Sequence, residues 1–598
     1  MFDLPEGAIL VSGSSVEEAA RAFAAGKVAV DAWDLRVAKT RLSDAVELDP
    51  EFTQARYWLA QVEAWAGDSA YVWLPHARYA AAKADVIGNE RDAVLARALL
   101  ALAEEEYGRA CELYGSVAAA DSLNFAAWFG LAQCHQLNRN VAPDTASPSR
   151  WSFESGFETA ADAYRRALEL VPSFNFVFEP YARLDRLLFT APNQVRTGRA
   201  VAPDTGLFAA WPSLVDDTLA FVPFRIAAVF RGDSGTFPST HREALLRNQR
   251  TLVEILRPWA RAFPDSSGPY VHLAEALEAT GDLEGEGQPD RSALGAAQRA
   301  RQLIRDADDR LRAATTEVRL LVKVGRFEAA RELAEVHLRA REDVSPSEAS
   351  DLAGLAALLG HPNRAADLLV IAGPSAFGPL SNAPAPVQDL RARLYAYAAT
   401  GAPVDSIGSL ALRMDSLLLI HVVPRDAEGL RCLALAEPLS FAYPEVGWTT
   451  NDSACLARSY LLQAQLAASN GDGNLVRTYL AQVDTIRHDL LPGEVSIGSV
   501  YQEAWLLLQV GDTLAATQRL DASLGALRAM SPNLVPEVRQ AAGLVRAMAL
   551  RADIAAALSD TATARRWAAP VVTLWGDATP ELQPLVERMH DLSRAGTN

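Results

Sequence analysis

Lysine is nearly missing from this chain: of 56 basic residues only Lys27, Lys39, Lys83 and Lys323 are not arginine. That bias reads as the base composition of a GC-rich genome rather than as chemistry. Cysteine is scarce as well. Four in 598 residues cannot staple a disulfide scaffold, and without a CxxC pair a structural zinc site is not expected. Cys111 and Cys134 are 23 residues apart, as are Cys432 and Cys455, so a helical hairpin can bridge either pair. The favoured expectation is buried free thiols, which behave as small core hydrophobes. No run reaches the roughly 18 apolar residues needed to span a bilayer, and LLVIAG near 368–373 stops at Pro374. The first residues carry Asp3 and Glu6 where a signal peptide carries Lys or Arg. The expectation is a cytoplasmic protein if Met1 is the native start, and an extracytoplasmic one if the chain is a fragment. A net charge of −18 speaks against broad nucleic-acid binding and against anionic membranes. Alternating Val/Ile/Thr runs between Asn-Gly or Asp-Gly turns are missing too, which argues against sheet.

What is present is helix. Half the residues are apolar, and nearly every long segment repeats them at three- and four-residue steps in Ala-, Leu- and Arg-rich sequence. A longer repeat overlies that period: a small residue, another twelve on, another seven on, then Pro about five later. Gly26, Ala38, Ala45 and Pro50 fit it; Ala98, Ala110, Val117 and Ser122 keep the spacing without the Pro. Ala160, Ala167 and Pro172, with Tyr164 between the alanines, supply half of another unit. Small residues at these points let antiparallel helices approach closely, and Pro stops the second helix.

The spacing resembles the tetratricopeptide (TPR) repeat, a helix–turn–helix unit of about 34 residues. Further matches are Leu59-Ala60 with Gly67, and Trp128 with Leu131 and Ala132. Tyr270, Leu273, Ala274 and Gly281 form another, as do Gly325, Phe327, Ala330 and Ala334. Gly360 with Ala365, Gly511 with Ala516 and Ser559 with Ala564 carry the pattern to the C-terminus. The resemblance implies an all-α fold, an α-solenoid of roughly ten to twelve hairpins with insertions. An N-terminal array over 1–190 is expected, with a loop insertion near 138–156, followed by divergent repeats over 191–403. An irregular segment over 404–452 and a C-terminal array with a capping helix over 453–598 complete the expected order. Residues 189–207 and 437–452 also read as loop.

Phrases such as AVELDPEFTQARYWLAQVEAW and FETAADAYRRALELVPSF resemble the TPR regions that follow the kinase domain of certain bacterial serine/threonine kinases. The kinase half itself is missing: there is no glycine-rich loop with a strand lysine, no His-Arg-Asp and no Asp-Phe-Gly. Kinase activity is therefore not implied.

Other chemistry is thin. Gly232-Asp233-Ser234-Gly235 resembles the nucleophile segment of chymotrypsin-like proteases but lacks their β context, and reads as an interhelical turn. The nine His are scattered without HExxH, and no Walker loop occurs. Cys134-His135 are neighbours on one helix and diverge. Gly471-Asp472-Gly473-Asn474 has too few carboxylates for a calcium loop and falls at a repeat turn. No cofactor or metal is expected.

The aromatics say more. If first helices line the concave face, as the resemblance implies, Gln54, Tyr57, Trp58, Gln61 and Trp65 project into it. Phe129, Gln133 and Gln136 follow, then His272, Glu275 and Glu278. Aromatics flanked by amides suit a peptide groove; Trp58 and Trp65 covering an insertion or a neighbouring helix is the other open reading. The leading function is a non-catalytic scaffold that presents a concave helical surface to a protein or peptide. A regulatory module acting with a kinase or transcription regulator is an alternative. An enzyme built from Asp405, Asp415, His421, Arg425, Asp426, Glu428 and Cys432 is another.

Overall fold

In the computed structural model, the described residues are 13–171 apart from 139, 144, 147–150 and 155; strand residues 196–197, 207–212 and 219–224; and 239–595 apart from 286–288, 340–343, 374–384, 402–403, 422–434, 436–455, 457–458 and 489. The protein divides into two compact units, one of residues 1–224 with 243–262, the other of 225–242 with 263–598.

Unit 1 holds four helical hairpins: α1 (Glu17–Asp31) with α2 (Leu35–Leu48), α3 (Thr53–Trp65) with α4 (Ala70–Ala82), α5 (Glu90–Ala103) with α6 (Tyr107–Ala120), and α7 (Phe125–Leu137) with α8 (Phe157–Leu170). Each packs on the next, and the first helices α3, α5 and α7 also touch. One apolar core runs through all four, and it contains the fully buried alanines 38, 45, 98, 110, 160 and 167 picked out by the repeat spacing. Helix α9 (Ser239–Ala262) adds Ile255 to that core.

The insertion between α7 and α8 is not plain loop. Strand β1 (Asn140–Pro143) pairs antiparallel with β2 (Trp151–Phe153), Val141 opposite Phe153, and parallel with β3 (Arg196–Thr197). A second ribbon pairs β4 (Leu207–Pro212) with β5 (Leu219–Phe224). The expectation of loop over 138–156, and of no sheet, is corrected to this extent. Strands of two to six residues are too short to show the alternation that marks a strand in sequence.

Unit 2 holds seven hairpins: α10 (Ser267–Thr280) with α11 (Ala293–Leu303), α12 (Ala307–Lys323) with α13 (Phe327–Arg339), α14 (Pro346–Leu358) with α15 (Pro362–Ala372), α16 (Ala385–Thr400) with α17 (Val404–His421), α18 (Tyr460–Ser469) with α19 (Gly473–Ile486), α20 (Ile497–Gln509) with α21 (Thr513–Gly525), and α22 (Val538–Ala557) with α23 (Thr561–Trp575). Helix α24 (Gln583–Arg594) caps α23. With unit 1 this makes eleven TPR-like hairpins among the described residues, within the expected ten to twelve, in a helical fold whose described strands are confined to the two short ribbons.

One turn recurs between the helices of a hairpin. Trp33, Gly67, Glu105, Gly281, Gly325, Gly360, Gly471, Gly511 and Ser559 all take left-handed φ. The next N–H reaches back five residues, as in Asp34 to Ala29, Asp472 to Ala467 and Asp560 to Ala555. That satisfies carbonyls the helix end would otherwise leave bare. The residue after the turn then opens the second helix. Asp34, Asp472, Asp512 and Asp560 accept from the N–H three residues on, at 3.0–3.2 Å. Gly471-Asp472 thus lies at a repeat turn, as its spacing suggested.

Unit 2 departs from an open ribbon. Helix α22 buries 14 of its 20 residues, Arg546 and Arg551 among them, and is therefore enclosed by its neighbours rather than lying at the surface. It packs on α14 and α16, far upstream, as well as on α20 and α23. Gly354 of α14 admits the returning chain: a Cβ there would stand 2.0 Å from the Val535 carbonyl oxygen. Trp575 is fully buried, and its indole N–H donates to Leu358 O at 3.1 Å. The concave face expected of a solenoid is covered here, because residues 527–557 lie across the first helices α12, α14 and α16.

Candidate interaction surface

The row singled out in the sequence sits largely inside unit 1. Tyr57, Gln61, Trp65, Phe129 and Gln136 are buried, and Trp58 is 9% exposed. The aromatics pack on one another: Trp65 against Trp33 and Phe125, with centroids 5.4 and 5.5 Å apart, and Phe125 stacked on Phe129 at 5.6 Å. Gln136 accepts from the Tyr164 hydroxyl. Desolvation, with Asp92 and Tyr114 nearby, holds the Tyr57 phenol far above its ordinary range, so it stays neutral. The second of the two readings, aromatics covering neighbouring helices, describes what these side chains do in this structure.

Beside this core, three consecutive first helices share a polar cluster whose Asp92 and Trp58 are buried and whose Lys27 and Gln54 are half-buried. Asp92 of α5 accepts from Gln54 Nε2 at 2.8 Å and from Trp58 Nε1 at 3.0 Å. Lys27 of α1 places its ammonium 3.3 Å from the centre of the Trp58 ring, a cation–π contact, and pairs with Asp31 at 3.7 Å. Burial lowers the Lys27 pKa, while Asp31 and Asp92 pull the other way. Gln54 and Gln133 are half-buried. The repeat geometry that stacks first helices side by side brings Lys27, Gln54, Trp58 and Asp92 together from positions up to 65 residues apart. Lys27 and Asp92 were not anticipated; the signal that marks them is their location on first helices beside Trp58.

The later part of the row lies in unit 2. His272 is half-buried and Glu275 exposed, but Glu278 is committed to the core. Arg319 clasps it with two bonds of 2.9 and 2.7 Å, and Lys323 adds a third at 2.7 Å. Lys323 also donates to the Met530 carbonyl, tying α10 and α12 to the returning segment. Burial works against the Glu278 charge, but Arg319 and Lys323 outweigh it and hold its carboxyl below the usual range. A groove role for Glu278 is thereby corrected to an internal one.

Of the enzyme alternative, Asp405 and Asp415 stand ten residues apart on α17, about 15 Å along its axis. Arg425, Asp426, Glu428 and Cys432 lie outside the described residues, as do Cys455 and Gly232–Gly235, and the description of His421 stops at its helical backbone. Cys111 and Cys134 form a disulfide between α6 and α7, so the expectation of free thiols is corrected for this pair. The reason is local: α6 lies directly against α7, which brings the two Cα atoms to 5.5 Å. Among the described residues, one group could hold a metal: the two sulfurs and the His135 ring, with donor atoms all within 4.8 Å of one another. No described helix is long and apolar enough to cross a membrane.

No family model matches the chain, and no curated protein does. Solved structures similar to it include yeast Tom70, 10% identical with TM-score 0.25 and 97% of each chain covered. The Cut9–Hcn1 hetero-tetramer of the APC/C is 12% identical, with TM-score 0.31 and coverage of 97% of this chain and 98% of that. The P58(IPK) TPR domain is 11% identical, with TM-score 0.20 and coverage of 97% and 99%. At such scores these likenesses carry no argument, and the fold rests on the protein's own helical hairpins and their shared turn.

Proposed function

We propose that the protein is a non-catalytic scaffold that docks a protein partner on the first-helix edge of unit 1. The observation that carries this reading is the meeting of Lys27, Gln54, Trp58 and Asp92 from α1, α3 and α5. Lys27 and Gln54 offer a cation and an amide from rigid helices, positioned by the buried Asp92 and Trp58 behind them, and so give directional contacts without reordering of the receptor. The aromatic core beneath fixes their positions. The corresponding face of unit 2 is crossed by its own chain, which leaves unit 1 as the place to dock. The test is capture of partners by wild type and by Lys27→Ala/Gln54→Ala/Gln133→Ala, with equal helicity checked by circular dichroism. The reading expects a protein recovered by wild type to fall at least tenfold with the variant; equal recovery of every protein by both overturns it.

A further inference from the structure

The α6–α7 junction carries chemistry that the scaffold reading does not use. Cys111 is half-buried and Cys134 fully buried, joined as a disulfide across consecutive hairpins. His135 follows Cys134 in sequence and, although helix neighbours diverge, its ring stays within 4.8 Å of both sulfurs. Two sulfurs and an imidazole are the donor set of three corners of a tetrahedral zinc site, whose ligand atoms stand roughly 3.5–4 Å apart, so the bonded sulfurs have only to part once the disulfide is reduced.

We propose that reduction of the Cys111–Cys134 disulfide opens a Cys2His site for one zinc-class cation between α6 and α7. The half-buried Cys111 gives a reductant its access. A dithiol reductant attacks a sulfur of the bond, forms a mixed disulfide and resolves it, leaving two protein thiols and the reductant's own disulfide. Cation binding then displaces both thiol protons to solvent, and His135 contributes a neutral ring nitrogen. Water fills the fourth position, because no other His, Cys, Asp or Glu among the described residues joins the group. Oxidation reverses the sequence: the thiolates give up two electrons to the oxidising disulfide, the S–S bond forms and the cation leaves. The α6–α7 junction is therefore held by the Cys111–Cys134 bond in an oxidising compartment and by a metal on Cys111, Cys134 and His135 in a reducing one. Soft thiolate donors select zinc or copper(I) over magnesium and calcium.

The experiment uses the full chain, oxidised or reduced with a non-chelating phosphine, exposed to zinc chloride and desalted anaerobically. Bound zinc is measured by mass spectrometry and affinity by competition with a chromogenic chelator. The expected result is about one zinc per reduced chain and essentially none per oxidised chain, with release on oxidation. His135→Gln weakens binding at least tenfold with both thiols in place, and Cys111→Ser, at the half-buried position, abolishes it. Cobalt substitution gives thiolate-to-metal absorption in the reduced wild type and not in Cys111→Ser. The proposal is overturned by a reduced wild type that stays helical yet holds no stoichiometric zinc, or by His135→Gln binding zinc as tightly as wild type. The oxidised-versus-reduced comparison needs no variant to fold.

Discussion

Units 1 and 2 use the same hairpin and the same left-handed turn but close their cores differently. In unit 1 the buried set passes from each hairpin to the next, from Ala19 to Val171. In unit 2 the chain returns: α22 covers α14 and α16, Trp575 reaches Leu358, and Lys323 reaches Met530. The hairpin pattern thus specifies neighbours and leaves open whether the array stays linear or folds back. Linear arrays behave as sums of neighbour interactions, whereas a unit closed by its last helices depends on them. The most direct way to break this comparison is truncation. Removing residues 1–50 should leave the remaining hairpins of unit 1 folded. Removing 531–598 should strip the cover from α12, α14 and α16 and unfold most of unit 2. Limited proteolysis and circular dichroism read both. A unit 2 that stays protected without α22 would show that its closure is incidental.

The buried ion network sharpens the same contrast. Glu278→Gln leaves Arg319 and Lys323, both buried, without their shared anion, and breaking a buried pair in this way costs about 3–5 kcal/mol. The sign with pH follows from the depressed carboxyl. Its stabilisation is complete above the ordinary carboxylate pKa of about 4.3 and is lost as pH falls through the lower folded value. Denaturant unfolding at pH 7 and pH 3 should show the variant's deficit large at pH 7 and reduced at pH 3. A pH-independent deficit would sink the ionic account.

The disulfide gives a further prediction, this time in unit 1. Closing a 23-residue separation stabilises by roughly 3 kcal/mol in the chain-entropy estimate. Reduction in the presence of a chelator should lower the unfolding free energy of unit 1 by about that amount and leave unit 2 unchanged. Hydrogen exchange resolves the two units, and α6 and α7 should lose protection first.

Much of this was legible in the sequence because it is local. Small residues at the repeat spacing, Ala38, Ala45, Ala110 and Ala167, are fully buried, and helix α7 ends at Leu137 while α8 begins at Phe157, close to where the pattern put them. The parts that were not legible are long-range. Nothing near Glu278 announces that Arg319 and Lys323, 41 and 45 residues on, will enclose it, so it read as a surface acid. Helix phase put Tyr57, Trp58 and Trp65 on one face, but phase does not say whether that face meets solvent or Trp33 and Phe125. The approach of α22 to α14 rests on Gly354, whose role is visible only once Val535 lies over it.

The smallest expected effect separates the shared turn from its surroundings. Glu105 and Ser559 are not glycine, yet they take the left-handed φ that glycine takes at six equivalent turns. A side chain in that region costs roughly 1–2 kcal/mol, offset in part by the lower unfolded-state entropy of a non-glycine residue. Glu105 is exposed, so Glu105→Gly should stabilise unit 1 by about 0.5–1 kcal/mol, and Ser559→Gly should do the same for unit 2. Trp33 takes the same conformation but packs on Trp65 and Phe125 at 5.4 and 4.5 Å, and Trp33→Gly should therefore destabilise, because lost aromatic burial outweighs relieved backbone strain. Gly281, with open space around a built Cβ, isolates the backbone term, and Gly281→Ala should cost about 1 kcal/mol. Thermal shifts of a few degrees are expected. Equal responses at Glu105 and Trp33 would mean that the turn, and not the aromatic contact, governs this end of the unit 1 core.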